Sequence, residues 1–308
     1  MSLAGMNEGA VSQELSFLQR AEVTVKSYFE LTKPRIMVLL LFTEYCAMVV
    51  AQGRIPGFRV TLLAVLGLAL STGGAAALNM WYDRDIDVVM KRTQGRPIPS
   101  GRVSSTGAFW FGIGLQVAAT LLLGLFVNWL TAALTFAGFI YYVVIYTMWL
   151  KRSTPQNIVI GGGAGAFPPI VGWTAITGHV SFAAVLMFLI IFLWTPPHFW
   201  ALALYKCEDY ERAHIPMMPV VNGPVSTKRQ SFVYTILLLA SSLLLFMTGT
   251  VGWVYFTVAV LLGGAFLVFT WKSLRESNGD TRWARRTFLY SLAYLPTLFV
   301  LMVLNLHH

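Results

Sequence analysis

Asn79, Asp83 and Asp87 follow one another at intervals of four in the segment NMWYDRDIDVVMKR (79–92). On a helix that spacing stacks three oxygen-bearing side chains into one stripe, while Asp85 points elsewhere. Acids on one stripe repel one another and make poor structural glue, but they suit a hard cation. Mg2+ takes oxygen ligands, keeps several waters and bridges carboxylates to substrate phosphates, and Mn2+ accepts the same donors. Lys91, Arg92 and Arg96 come next. Acids for a metal beside bases for phosphate oxygens are what a diphosphate with its Mg2+ requires. The plain alternative is a hydrated loop whose acids and bases neutralise each other.

A second acidic cluster, Glu208, Asp209 and Glu211, lies in TPPHFWALALYKCEDYERAHIPMMPVV (195–221). The sequence predicts a helix running on through this segment, with His198, Leu202, Tyr205 and Asp209 on one face. Pro196 and Pro197 are expected to kink it just before His198. A histidine there reads equally as a packing residue or as a ligand or base. A third polar stretch, YTMWLKRSTPQNIVIGGGAGAFPP (146–169), supplies Lys151 and Arg152, the second of which reads as an anchor. Its glycines, like those of STGGAAALN (71–79), read as small residues that let helices approach. Neither run ends in the Lys-Ser/Thr of a phosphate loop.

These residues must be positioned by a membrane protein. The chain of 308 residues is 56% hydrophobic and 11% charged, and its mean hydropathy is +0.66. Unbroken apolar runs predict an all-α polytopic bundle of nine transmembrane helices, near 36–52, 60–80, 105–127, 129–149, 157–177, 182–204, 231–250, 253–271 and 287–306. All but two of the 22 Lys and Arg residues, Arg54 and Arg59, then fall on the face that holds the N-terminus. That bias predicts a cytoplasmic N-terminus and cytoplasmic acid clusters, with the C-terminus outside. It also accounts for the net charge of +9 without nucleic acid. Residues 1–34 read as a cytoplasmic tail and 35–308 as the membrane domain. The tail's four glutamates argue against an organellar transit peptide, and a bacterial plasma membrane is the simplest address. Cys46 and Cys207 lie at different depths and form no disulfide framework. LTKPRI (31–36) and STPQNI (153–158) each precede an acid cluster by one span, a faint parallel repeat that leaves the ninth helix over.

The Asn-x3-Asp-x3-Asp stripe followed by RTQGRPIPSG resembles the intramembrane prenyltransferase superfamily. More narrowly, LTKPRI, NMWYDRDID, RPIPSGR, KRSTPQNIVIGGGAGAFPPIVGW, TPPHFWALAL and DYERAHIPMMPVV are similar to segments of the protohaem IX farnesyltransferase family, from about Leu31 to Val221. His214 departs from that pattern, which has glycine before IPM. The resemblance implies a nine-helix bundle around a central cavity, farnesyl diphosphate as donor and Mg2+ (or Mn2+) as cofactor. It implies haem B (protohaem IX) as acceptor substrate rather than prosthetic group. The product, haem O, would serve terminal oxidases, with haem A synthase or oxidase assembly proteins as further partners. On this reading Asn79, Asp83 and Asp87 hold one Mg2+, while Asp209 with Glu208 holds a second or orients its waters. Lys91, Arg92, Arg96, Lys151 and Lys206 take the diphosphate, and His198 and Tyr205 face the acceptor. Tyr82, Tyr146 and Tyr205 are candidates for shielding an allylic cation. Two alternatives compete. One is the same chemistry on a quinone precursor or chlorophyllide. The other is a cation-coupled transporter, which would place several acids at mid-bilayer, where only Glu44 lies.

Overall fold

The computed structural model describes residues 17–90, 93–212, 215–277 and 279–306. Among them, nine helices are long and apolar enough to cross a membrane: Pro34–Gln52, Phe58–Tyr82, Ser105–Phe126, Trp129–Ser153, Asn157–Thr177, Phe182–Tyr205, Gly223–Phe246, Trp253–Arg275 and Arg282–Leu304. In chain order they are the first to ninth spans. Short polar signals set their ends. Ser104, Asn128 and Ser181 accept hydrogen bonds from the backbone N–H three residues on, which caps the third, fourth and sixth spans. Gly53 closes the first span in the left-handed region, at φ 69°.

Each span packs on the next, and the ninth packs back on the first, so the bundle is a closed ring. The first span also meets the fifth, and the sixth meets the ninth, across its middle. The closest approaches use the small residues of the sequence. A Cβ on Gly74 would stand 2.6 Å from the Gly112 carbonyl oxygen, and one on Gly112 would stand 2.9 Å from that of Gly74. The second and third spans therefore touch backbone to backbone.

Three local features depart from the sequence expectation. The described part of the stretch read as a tail is a helix, Phe17–Leu31. It is held by an edge-on contact between the Tyr28 and Phe111 rings and by a Glu30–Arg102 ion pair of 2.8 Å. The seventh span starts at Gly223, not 231. Its polar first turns are fixed by Lys228, whose ammonium donates to the Glu276 and Ser277 carbonyls at 3.1 and 3.3 Å. The fourth span runs as an α-helix only to Ile140 and then winds as a π-helix over Tyr141–Leu150.

Candidate active site

The second span ends where its acids begin. The chain turns at Asp83 and resumes as a short helix, Arg84–Val89. The turn keeps the four-residue register, because Asp83 N–H donates to Asn79 C=O and Asp87 N–H to Asp83 C=O, both at 2.9 Å. Asn79, Asp83 and Asp87 therefore stay on one stripe and are buried, at 3%, 0% and 2% exposure. The side chain of Asp85 is 59% exposed on the other side, where Arg152 grips it with two bonds of 2.7 Å. Those bonds hold the Asp85 carboxyl down at about 2. Arg152, read from sequence as an anchor, thus belongs to the rim of the site.

Each member of the stripe is hydrogen-bonded by a cation from a different segment. Lys33, just ahead of the first span, donates to Asn79 Oδ1 at 2.6 Å. Lys151, at the end of the fourth span, bonds Asp83 Oδ2. Arg96 donates to both oxygens of Asp87 at 2.8 Å. Burial, then the positive charges of Arg96 and Lys151, bring the Lys33 ammonium down to about 7. Three cations therefore converge on one pocket. Lys33 reaches it from a left-handed backbone, φ 52°, immediately before Pro34. That conformation is uncommon for a residue with a side chain.

Sequence reasoning missed Lys33 as a site residue, although LTKPRI held it, because a base at a span's end already has an orienting role. It also missed Thr147, whose hydroxyl accepts from Asn79 Nδ2 at 3.0 Å. Lys91, Arg92 and His214 lie outside the described residues.

The donors fit a hard divalent cation. They are oxygens of an amide and two carboxylates, and Asp83 Oδ1 is buried with no hydrogen-bond partner. An Arg152 nitrogen stands 3.7 Å from it.

The second acidic cluster is arranged differently from its expectation. The sixth span ends at Tyr205, Lys206 breaks the helix at φ −116°, ψ 20°, and a new helix covers Cys207–Arg212. Asp209 therefore does not continue the stripe of His198 and Tyr205. It sits 3.9 Å from Lys206, both half-exposed, and Glu208 pairs outward with Arg212 at 3.0 Å. Among the described residues no group of three or more His, Cys, Asp or Glu is gathered to hold a metal. Among the described residues Glu208, Asp209 and Lys206 make no ion pair with the stripe, although Ile86 and Met90 beside the stripe and Tyr210 beside Asp209 pack on one apolar cluster. Pro196 and Pro197 lie inside a helix that runs on without a break to Tyr205.

His198 is buried, its ring stacked on Trp194 at 4.2 Å and on Phe288 at 4.9 Å. Its Nδ1 lies 2.7 Å from Ser291 Oγ, whose own hydroxyl donates to the Phe288 carbonyl at 2.6 Å. The hydroxyl proton is used, so Nδ1 carries the imidazole proton and Nε2 the lone pair. Tyr205 meets Phe288 edge-on at 6.0 Å. Of the other tyrosines, Tyr82 has Arg152 over its ring at 4.8 Å, and Tyr146 stacks on Tyr142 at 5.6 Å.

An acidic stripe buried under cations at one end of a nine-helix ring is the arrangement of a membrane enzyme that handles a metal and a polyanion. The model of the UbiA prenyltransferase family matches residues 40–292, and the chain belongs to that family. It is therefore a multi-pass membrane prenyltransferase. Among its relatives, the protoheme IX farnesyltransferase of Symbiobacterium thermophilum is 54% identical over 288 residues, 94% of this chain and 96% of the relative. That of Erythrobacter litoralis is 49% identical over 281 residues, 90% and 91% of the two chains. The fold matches a solved digeranylgeranylglyceryl phosphate synthase with a TM-score of 0.79 at 16% identity, over 92% of this chain and 98% of that one. It also matches a UbiA homologue from Archaeoglobus fulgidus bound to DMAPP and Mg2+, with a TM-score of 0.64 at 16% identity, over 90% and 99% of the two.

Proposed function

We propose that this protein transfers the farnesyl group of farnesyl diphosphate to a vinyl group of protohaem IX, with addition of water, to make haem O. One observation carries the donor half of this reading: an oxygen stripe, Asn79, Asp83 and Asp87, enclosed by Lys33, Arg96 and Lys151. The relatives' shared name carries the acceptor.

Asn79 Oδ1 and the Asp83 and Asp87 carboxylates would hold Mg2+, which when bound supplies charge to a departing diphosphate. Lys33, Arg96 and Lys151 stand close enough to the same pocket to take phosphate oxygens, so charge developing on the leaving group meets fixed cations. The allylic carbon–oxygen bond breaks and the freed allylic carbon bonds to the terminal vinyl carbon. Water adds its oxygen to the other vinyl carbon and releases a proton. Tyr205 and Phe288, in edge-on contact between the sixth and ninth spans, would offer aromatic surface to a porphyrin, with His198 stacked on Phe288.

In the membrane, the end carrying the acids and most of the bases would face the bacterial cytoplasm, where farnesyl diphosphate is soluble. Haem O would pass to terminal oxidases or to the enzyme that converts it to haem A. The test is direct: purified protein is incubated with haem B, farnesyl diphosphate and Mg2+, and haem O is sought by mass spectrometry. Haem O is expected, with no prenylated product from a quinone precursor or chlorophyllide. The reverse pattern would overturn the choice of acceptor.

A further inference from the structure

Asn79 can serve a metal only through its amide oxygen, because its NH2 donates and has no lone pair to give. An amide has no intrinsic preference between the two orientations, so its neighbours must choose. The choice can be followed proton by proton. Thr147 has one hydroxyl proton, and it goes to the Tyr142 carbonyl at 2.8 Å. Toward Asn79 that hydroxyl can then only accept, so the group facing it must be the NH2, at 3.0 Å. The second NH2 proton goes to Asp83 Oδ2 at 2.9 Å. Both donors are spent, and Oδ1 is left facing the Lys33 ammonium. Reversing the amide would set its NH2 against an ammonium and its oxygen against a carboxylate.

The π-helix decides which carbonyl takes the proton of Thr147. In an α-helix a threonine hydroxyl turns back to the carbonyl four residues before it, here Val143. In the π-wound stretch Tyr141–Leu150 the partner is Tyr142, five residues back. Thr147 is 0% exposed, so water does not compete for its hydroxyl.

We infer that Thr147 is a positioning residue for the metal site, fixing the Asn79 amide with its oxygen on the Lys33 side and its NH2 on the Thr147 and Asp83 side. This rests on the Mg2+–diphosphate reading of the same pocket. Binding of Mn2+, which takes the same oxygen donors and is visible by electron paramagnetic resonance, is measured on the full-length protein with inorganic pyrophosphate present. Thr147→Val keeps shape but removes the hydroxyl, and is expected to weaken Mn2+ binding by about tenfold or more, as losses behind a metal ligand do. Thr147→Ser restores the hydroxyl and is expected to bind within about twofold of the unaltered protein, whatever it does to thermal stability. Unchanged Mn2+ affinity in the valine variant overturns the inference. Equal losses in valine and serine also overturn it, because they assign the effect to the methyl group's packing. Should the valine variant not yield folded protein, alanine against serine makes the same comparison. The underlying reading fails separately, if the unaltered protein binds no Mn2+ or if Asp83→Ala binds it as well as the unaltered protein.

Discussion

At the scale of single residues, the stripe makes its members unequal. Asp83→Asn and Asp87→Asn are each expected to lower turnover by about 100-fold or more, the range lost when a transition-state charge partner is removed. Asp85→Asn should cost far less, because Asp85 faces outward and pairs with Arg152. Turnover of the three purified variants under saturating substrates checks this, and equal losses would sink the one-face argument. Chelation is expected to abolish activity, with Mg2+ or Mn2+ restoring it. His198→Ala should lower the unfolding temperature and affect both substrates alike, since the ring is held by Trp194, Phe288 and Ser291. Separate titrations with haem and farnesyl diphosphate decide this, and a loss confined to haem would put Nε2 in the acceptor site. The stripe was legible because a period of four survives any uncertainty in helix ends. Lys33 and Thr147 were not. Both act on Asn79 across 46 and 68 residues of chain, and no local spacing encodes such a pairing.

At the scale of elements, hydropathy found every span but not every helix end. The seventh span begins with the polar residues 223–230, which are helical yet not apolar, so an apolar window starts late. The π-helix was invisible for a related reason, as YYVVIYTMWL is as apolar as the turns before it. Its effect is large all the same. Ten residues wound with five-residue rather than four-residue bonds change the phase of everything after them, and Lys151, which bonds Asp83, comes next. The π stretch packs against the glycine run, where a Cβ on Gly161 would stand 2.1 Å from the Tyr146 ring. Gly161→Ala is therefore expected to destabilise the protein by roughly 1–3 kcal/mol, the usual cost of overpacking. Gly165→Ala, with nothing within 4 Å, should be nearly neutral on that ground. Paired thermal unfolding curves in one detergent test the contrast.

At the scale of the whole molecule, the number of spans and their all-α character were readable because a bilayer leaves the backbone few choices. The ring was not, because closure depends on which faces meet. The first and fifth spans, which LTKPRI and STPQNI open, pack together. The described residues that hold the oxygen stripe, Lys33, Arg96, Thr147 and Lys151, all lie within the first four spans, beside them or just before them. The bond from His198 to Ser291 instead ties the sixth span to the ninth over 93 residues. Cutting the chain in the loop after Gly178 and producing both pieces together is expected to restore haem O formation, which neither piece gives alone. Mass spectrometry of membranes from the three strains reads the result. The same division orders events in time. As the chain leaves the ribosome, the donor half can find its partners after the fourth span emerges, while the first span's ninth-span face waits for the end of synthesis. A chain stalled after the sixth span would carry the bonded oxygen stripe and an open ring, so the last helix to be made is the one that closes the molecule.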